Sequence, residues 1–203
     1  MTRIIGLTGF RQTGKSTIAT HLQARHGFID LHAFAGGKVA TEAYFRHLGA
    51  DEDLAHRMVH GDLRDTPSPL LPLRSDLPEG AAPEHHSPRF FMEMFGNFMG
   101  ETLGSDWTAG AELRLASERH PGRNLLIQSV VYEVDAIRAQ GGTIIRIDRP
   151  GAHGRGLKTD RVVEAITPDE IFLNDHGSVE DMLAEFDRRF MESDQAPSLC
   201  TTP

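Results

Sequence analysis

The sequence predicts an α/β fold in which helices cover both faces of a mostly parallel sheet. Short apolar runs typical of buried strands span residues 4–7, 124–131 and 143–147. Segments with helical periodicity separate these runs, and residues 89–103 carry the broadest apolar face. A glycine-rich loop and a helix follow the first run directly, so we expect the fold to be organised around residues 4–22.

The loop after the first predicted strand carries the most specific motif in the chain. Residues 9–16 read GFRQTGKS and fit the phosphate-binding pattern G-x-x-x-x-G-K-[ST] without a mismatch. The glycines let the backbone curl around an anion, and the loop N–H groups and the positive end of the helix then face the phosphates. Lys15 is expected to reach the β- and γ-phosphates of ATP, and the Ser16 hydroxyl to hold Mg²⁺. The residues predicted here to bind the nucleotide are Gly9, Arg11, Gln12, Thr13, Gly14, Lys15, Ser16 and Thr17.

The motif narrows the expected fold to a three-layer P-loop NTPase sandwich with a small lid. We expect one domain over residues 1–192, followed by a flexible C-terminal tail at 193–203. Within the domain we expect a substrate-covering segment at about 33–105 and a lid at about 149–162. Residues 66–88 contain six prolines, which indicates either a plain surface loop or a loop that covers the substrate.

Composition favours a small substrate. The net charge of −8 argues against a broad electrostatic grip on nucleic acid, which normally needs a basic face. No stretch approaches the roughly 18 apolar residues that cross a bilayer, so we expect no membrane partner. The single cysteine, Cys200, and the absence of an N-terminal signal pattern indicate a cytoplasmic protein.

Among P-loop proteins, the sequence favours a small-molecule kinase. The chain is short, and it lacks an Asn-Lys-x-Asp string for reading guanine. Arginines lie far from the motif in sequence, at Arg89 and within 146–161. Phosphoryl transfer needs cations on the acceptor and on the migrating group, because its catalysis is largely positioning and charge neutralisation.

The order of elements resembles the bacteriophage-type deoxynucleoside monophosphate kinases and, more distantly, the dephospho-coenzyme A kinases. The resemblance spans about residues 3–190. Its pieces are short segments at 9–17, 34–38, 87–89, 104–107, 130–142, 145–150, 159–160 and 174–178. It implies an ATP- and Mg²⁺-dependent enzyme that converts a nucleoside monophosphate to the diphosphate, in the host cytoplasm if phage-encoded.

The resemblance also implies roles for individual residues. Lys38 and Arg89 would line the acceptor monophosphate site, with Trp107 beside it. A second group would serve the donor: Arg149, Arg155 and Lys158 in the lid, and Asn174 in a turn against the adenine. Asp30, at the end of the second strand, is placed near magnesium or an acceptor hydroxyl. The implied catalytic residues are Lys15, Arg89, Arg149 and Asp30.

The sequence departs from this family at three places. Gln128-Ser129-Val130 stands where the family carries an Asp-x-Arg string, residues 96–101 lack the usual arginine, and Leu157 precedes Lys158 where a histidine is usual. These departures motivate a first alternative, a kinase of a hydroxymethylated pyrimidine in a nucleotide or in phage DNA, with Asp30 as base. A second alternative is a regulatory protein that binds a nucleotide without transferring phosphate. A small nucleotide is the expected partner, DNA is a partner only under the first alternative, and a homodimer is left open.

Overall fold

The computed structural model describes residues 2–73, 85–154 and 158–192, and their elements alternate as the sequence predicts. The strands are β1 (Ile4–Thr8), β2 (Ile29–Asp30), β3 (Leu125–Ile127), β4 (Thr143–Asp148) and β5 (Glu170–Leu173). The helices are α1 (Lys15–His26), α2 (Ala35–His47), α3 (Glu52–His60), α4 (Pro88–Leu103), α5 (Ser105–Arg119), α6 (Val134–Ala139), α7 (Lys158–Ala165) and α8 (Val179–Phe186). A 3₁₀ turn, Asp62–Asp65, follows α3, and a π-helical turn, Asp187–Met191, follows α8.

The five strands form one sheet in the order β2-β3-β1-β4-β5, and every neighbouring pair is parallel. All five residues of β1 are buried, because this central strand has β3 on one side and β4 on the other. Parallel strands covered on both faces read as continuous apolar runs, which is why the sequence revealed them. The predicted α/β fold with a parallel sheet is confirmed.

Helices lie on both faces of the sheet. On one face, Ile5 and Leu7 of β1 share a buried apolar cluster with Ile18 and Leu22 of α1, and this cluster also contains residues of α8. On the opposite face a Cβ at Gly6 would lie 2.9 Å from the Ile137 side chain of α6. Gly6 is therefore the position at which α6 packs closely against the central strand.

The chain divides into two compact units. The first contains residues 1–31 and 113–203 and holds the whole sheet. The second, residues 32–112, has its own core around Phe45, Ala55, Met58, Val59 and Leu71. Its range is close to that predicted for the substrate-covering segment, and that role stays a prediction.

Two sequence interpretations need correction. The strand expected over 124–131 ends at Ile127, after which the chain turns and the Val130 N–H donates to the Leu7 carbonyl at 2.9 Å. The Met and Phe stripe of α4 predicts core for most of its residues. Met92 is indeed buried in the core of the second unit, but Phe90, Met94 and Phe98 are 40%, 46% and 59% exposed. The 3.6-residue period identifies an apolar face without saying what covers it.

Several predicted features fall wholly or partly outside the described residues. They are the tail at 193–203, residues 74–84 of the proline-rich segment, and residues 155–157 of the lid. Within the part of the chain that the structure describes, no helix is both long and apolar enough to cross a membrane.

We predict that Gly9→Ala destabilises the protein more than Gly141→Ala does. Both glycines have positive φ, 127° and 75°, so each substitution carries a cost of roughly 1–3 kcal/mol for the backbone conformation. Only at Gly9 would the new Cβ also meet backbone, 2.4 Å from the Ile147 carbonyl oxygen, while nothing lies within 4 Å at Gly141. Urea unfolding of both variants measures the difference, and equal losses would show that the close approach of Gly9 to β4 is unimportant.

Candidate nucleotide-binding site

The loop between β1 and α1 has an unusual backbone conformation with several positive φ angles. Gly9 and Gly14 have φ values of 127° and 106°, and Gln12 has a φ of 65°, which is uncommon for a residue with a Cβ. A Cβ at Gly14 would lie 2.8 Å from the side-chain nitrogen of Asn174. Thr13 is buried, and its hydroxyl donates to the Phe10 carbonyl at 3.1 Å. The two glycines thus allow the loop to curl while seated closely on the sheet.

Among the described helices, α1 has no cap from the side chain of its N-cap residue, a feature that it shares with α2 and α6. Asp51, Ser87 and Ser178 cap α3, α4 and α8, each accepting a backbone N–H through a side-chain oxygen. The N-cap of α1 is Gly14, and no side chain of the described residues caps this helix. Its first turn contains no acidic residue, and Ser16 is exposed there. Uncapped N–H groups at a positive helix end form an anion-binding site.

Lys15 lies against the loop. Its Nζ donates to the Gly9 carbonyl at 2.9 Å and also to the Phe10 carbonyl. Burial, and then the positive charge of nearby Arg11, lower the pKa of Lys15 below its usual value of 10.5. A lysine whose pKa is lowered in this way is stabilised by a nearby anion, because the anion favours its charged form. A phosphate in the loop would therefore compete with the loop carbonyls for this ammonium.

The topology of the sheet favours a ligand at the carboxyl ends of the strands, where the loop lies. The chain leaves β1 toward α1 on one face, and it leaves β3 toward α6 on the opposite face. The Arg146 side chain of β4 donates to the carbonyls of Val163 and Ile166, which places the end of α7 on the α6 side. Ligands of open α/β sheets bind outside the carboxyl ends of strands where this direction reverses. Here that point is the end of β1, where the loop begins.

Arg149 follows β4 at the same edge. Its Nη1 donates to the Gln12 carbonyl at 3.4 Å, and its side chain is otherwise exposed. The structure therefore brings Arg149 to the P-loop from a position 137 residues away in sequence. Arg155 lies outside the described residues, as does the side chain of Lys158.

Asn174 holds the loop through a buried hydrogen bond. It is only 8% exposed, and its Nδ2 donates to the Thr13 carbonyl at 2.8 Å. The sequence placed Asn174 against the adenine, whereas its amide nitrogen is bonded to the loop. The structure thus gives Asn174 a positioning role, and contact of residues 175–178 with the base stays a prediction.

The carboxylate predicted at the end of β2 lies at the same sheet edge. Asp30 is exposed, and its Oδ2 accepts a hydrogen bond of 2.8 Å from the Gln128 amide, which follows β3. For the metal, the donor set fits a hard cation: Ser16 offers an exposed hydroxyl in the first turn of α1. Mg²⁺ commonly takes one or two protein oxygens and completes its shell with phosphates and water.

The second unit contains a group of cations that the sequence did not reveal. Loss of hydration, and then repulsion from Lys38, Arg64 and His60, lower the pKa of His32 to about 4. Its Nδ1 also accepts the Phe34 N–H at 3.1 Å, which favours the neutral ring. Only Lys38 of this group was predicted, because the other three come from separate segments and match no motif.

Arg89 and Trp107, also predicted for the acceptor, lie in the second unit. Arg89 forms a two-point ion pair with Asp65, whose carboxylate accepts from Nη2 at 2.9 Å and also from Nε. Arg89 is therefore held by Asp65 and must exchange this partner to bind phosphate. Trp107 is 53% exposed in the first turn of α5, so it is not a core anchor.

The second unit also has a cavity of about 450 Å³. This size lies within the range of small-molecule sites, roughly 300–1,000 Å³. Two stacked aromatic pairs contribute to its wall, Tyr44 with Phe91 and His86 with Phe90. The remaining lining residues are Leu48, Leu70, Leu71, Pro72 and Met94. The cavity is thus largely apolar, and Arg89 is adjacent in sequence to its wall.

Comparison with known proteins gives only distant similarity. The chain matches no protein-family model, and no curated protein matches it. Among solved structures, TT1252 from Thermus thermophilus is 16% identical with a TM-score of 0.49, over 95% of this chain and 98% of that chain. Dephospho-CoA kinase from Campylobacter jejuni is 16% identical with a TM-score of 0.46, over 95% and 98%. Shikimate kinase from Bacteroides thetaiotaomicron is 12% identical with a TM-score of 0.41, over 94% and 98%. Similarities this low carry no inference about activity.

We predict that Asn174→Ala weakens both the fold and the binding of ATP. Removing the amide leaves the buried Thr13 carbonyl without its donor, at a cost of about 1–3 kcal/mol. Asn174→Asp is the matched variant, because it keeps the shape of the side chain but places a carboxylate oxygen against the Thr13 carbonyl oxygen. It should lower the free energy of unfolding at least as much as Asn174→Ala. Urea unfolding and ATP titration measure the two effects. Unchanged ATP affinity in a destabilised variant would contradict the positioning role.

Proposed function

We propose that this protein is an ATP- and Mg²⁺-dependent kinase that transfers a γ-phosphoryl group to a nucleoside monophosphate. The observation that carries the proposal is the loop 9–14. It begins an uncapped helix at the central strand of a parallel sheet, with Lys15 and Arg149 both bonded to its carbonyls. This arrangement places backbone N–H groups, a lysine and an arginine around one loop, as phosphate binding requires.

On the donor side, each part has a role in phosphoryl transfer. The loop N–H groups and the start of α1 hold the phosphates, and Lys15 follows the charge of the β- and γ-groups. Ser16 holds Mg²⁺, which neutralises the phosphate oxygens when bound. Arg149 stabilises charge on the migrating group, because its guanidinium is placed at the loop and is always protonated. Asn174 keeps the loop in shape.

On the acceptor side, the second unit supplies positive charge and an aromatic cavity. Lys38, His60 and Arg64 all act electrostatically on His32, and this group of basic side chains suits a phosphate dianion. The cavity of about 450 Å³ has stacked aromatic walls, which suit a flat base. A nucleoside monophosphate combines both features. Its phosphate is itself the nucleophile and is ionised at neutral pH, so no general base is needed.

A hydroxyl acceptor is the second candidate, because Asp30 lies at the sheet edge that bears the P-loop. A hydroxymethylated pyrimidine would need a carboxylate to take its proton, and Asp30 is available in that role with Gln128 as its hydrogen-bond donor. Monophosphate and hydroxyl acceptors are distinguished by Asp30→Asn. This substitution should abolish transfer to a hydroxyl but spare transfer to a monophosphate.

We predict that ADP forms only when ATP, Mg²⁺ and an acceptor are all present. The assay is coupled ADP release against common and modified deoxynucleoside monophosphates and against hydroxymethyluracil-containing DNA. Arg149→Ala should lower kcat by about 10²-fold or more while ATP still binds, as expected for a group that stabilises transition-state charge. Arg119→Ala, an exposed arginine at the end of α5, is the matched control and should leave turnover unchanged.

The possible results of this assay separate the candidates. Turnover on DNA alone would replace the proposed acceptor but leave the donor site intact. ATP binding without acceptor-dependent ADP on any member of the panel would contradict the kinase proposal and favour a nucleotide-binding regulatory protein.

We predict that a bound nucleoside monophosphate raises the pKa of His32 from about 4. The phosphate would stabilise the imidazolium and offset the neighbouring cations. NMR titration of the ring measures this, and Lys38→Met should raise the pKa without ligand because it removes one repelling charge. The pKa is lowered in the folded chain from the ordinary 6.5, so protonation of His32 destabilises the fold as the pH falls from 6.5 to about 4. A His32 pKa that stays unchanged with every monophosphate would contradict this acceptor site.

A further inference from the structure

We propose that His21, His26 and Asp187 form a zinc site that joins α1 to the π-helical turn after α8. None of the three residues has a role in the proposed nucleotide site. The Nε2 atoms of His21 and His26 lie 2.9 Å and 2.8 Å from the two carboxylate oxygens of Asp187. All three ligand atoms lie within 4.8 Å of one another. The side chains are 19%, 27% and 20% exposed, so the cluster is half-buried.

The backbone explains why these residues meet. His21 and His26 lie five positions apart on α1, and their rings pack edge to face with centroids 5.5 Å apart. Asp187 is the first residue of the π-helical turn that follows α8. π-Helical turns are rare and occur frequently at functional sites. Phe186 and Phe190 are buried on either side of Asp187 in sequence, so the turn that carries the carboxylate is anchored in the core.

The donor set suits zinc. Two imidazole nitrogens and one carboxylate oxygen are a common ligand set for Zn²⁺, with a fourth position left to water. Tetrahedral bonds of about 2.0–2.2 Å separate ligand atoms by roughly 3.3 Å. The two histidine–carboxylate separations of 2.8–2.9 Å would therefore open by about half an ångström. The two Nε2 atoms lie within 4.8 Å of each other and would close by at most about 1.5 Å. Binding would exchange the Nε2–H···O bonds for metal bonds, leaving each ring proton on Nδ1.

The site has access to solvent. His21 borders an open groove of about 460 Å³, together with Thr17, Thr20, Ala24 and Leu183. Of the three proposed ligands His21 borders this groove, so water in the groove can approach the cluster from the His21 side. Ser16 also borders the groove, so the proposed site adjoins the helix that carries the P-loop serine. Bound zinc would fix α1 to the C-terminal turn and stabilise the helix that begins at Lys15.

A second cluster provides an internal comparison. Glu42, His56 and His60 of the second unit also bring three ligand atoms within 4.8 Å. His56 is 64% exposed, and its Nδ1 lies 3.9 Å from the Glu42 carboxylate. The more open and looser geometry makes this cluster the weaker candidate, and it serves as a matched control within the same molecule.

The test is zinc titration of the full chain without a purification tag or nucleotide, in a Cys200→Ser background that removes the only thiol. We expect one strongly bound Zn²⁺ per chain, measured by competition with a chromophoric chelator. Asp187→Asn and His26→Gln, which keep size and polarity, should each weaken binding by at least about tenfold. His56→Gln should leave it unchanged. Co²⁺ bound in place of zinc should give the visible absorption of a tetrahedral site.

The proposal is overturned if the parent chain binds no zinc above background. It is also overturned if binding persists in folded Asp187→Asn and His26→Gln, whether or not His56→Gln loses it. His21→Gln replaces either ligand variant that fails to fold, as judged by circular dichroism. Persistent binding in folded His21→Gln would also overturn the proposal. A rise in melting temperature with Zn²⁺ but not with Mg²⁺, absent from the ligand variants, supports it.

Discussion

The structure depends on the close seating of the P-loop on two strand ends. Gly9 approaches the Ile147 carbonyl of β4 so closely that any Cβ would clash. Gly14 lies against Asn174, which follows β5 and holds the loop through the Thr13 carbonyl. The loop after β1 is thus fixed by the two strands on one side of it. This arrangement places the uncapped N-terminus of α1 at the carboxyl ends of the strands.

Electrostatics at this edge follow from the same seating. Lys15 and Arg149 both donate to loop carbonyls, so two cations are held beside the positive end of α1. Like charges gathered in this way repel one another, and the lowered pKa of Lys15 reflects both its burial and the charge of Arg11. Such a concentration of positive charge becomes favourable when an anion neutralises it. The loop and the start of α1 therefore favour an anion more strongly than any one of these groups does alone.

The sequence predicted the parts of this site that are contiguous. The strand, the loop and the first helix were recognisable because their pattern lies within residues 4–22. Asn174 was placed in the site by resemblance, but its bond to Thr13 joins positions 161 residues apart and leaves no local signature. His32, His60 and Arg64 were missed for the same reason, since only folding brings Lys38, His60 and Arg64 within electrostatic range of His32. Local chemistry could be read from the sequence, while partners brought together by the fold could not.

The exposed face of α4 shows where a periodic pattern becomes ambiguous. Phe90, Met94 and Phe98 recur every four residues, as a core-facing stripe does, yet all three are substantially exposed. Two of them, Phe90 and Met94, line the cavity of about 450 Å³ in the second unit. Exposed apolar surface gathered around a concave site is more often functional than accidental. The apolar residues of α4 therefore serve two purposes: Met92 belongs to the core of the second unit, while Phe90 and Met94 form part of the cavity wall.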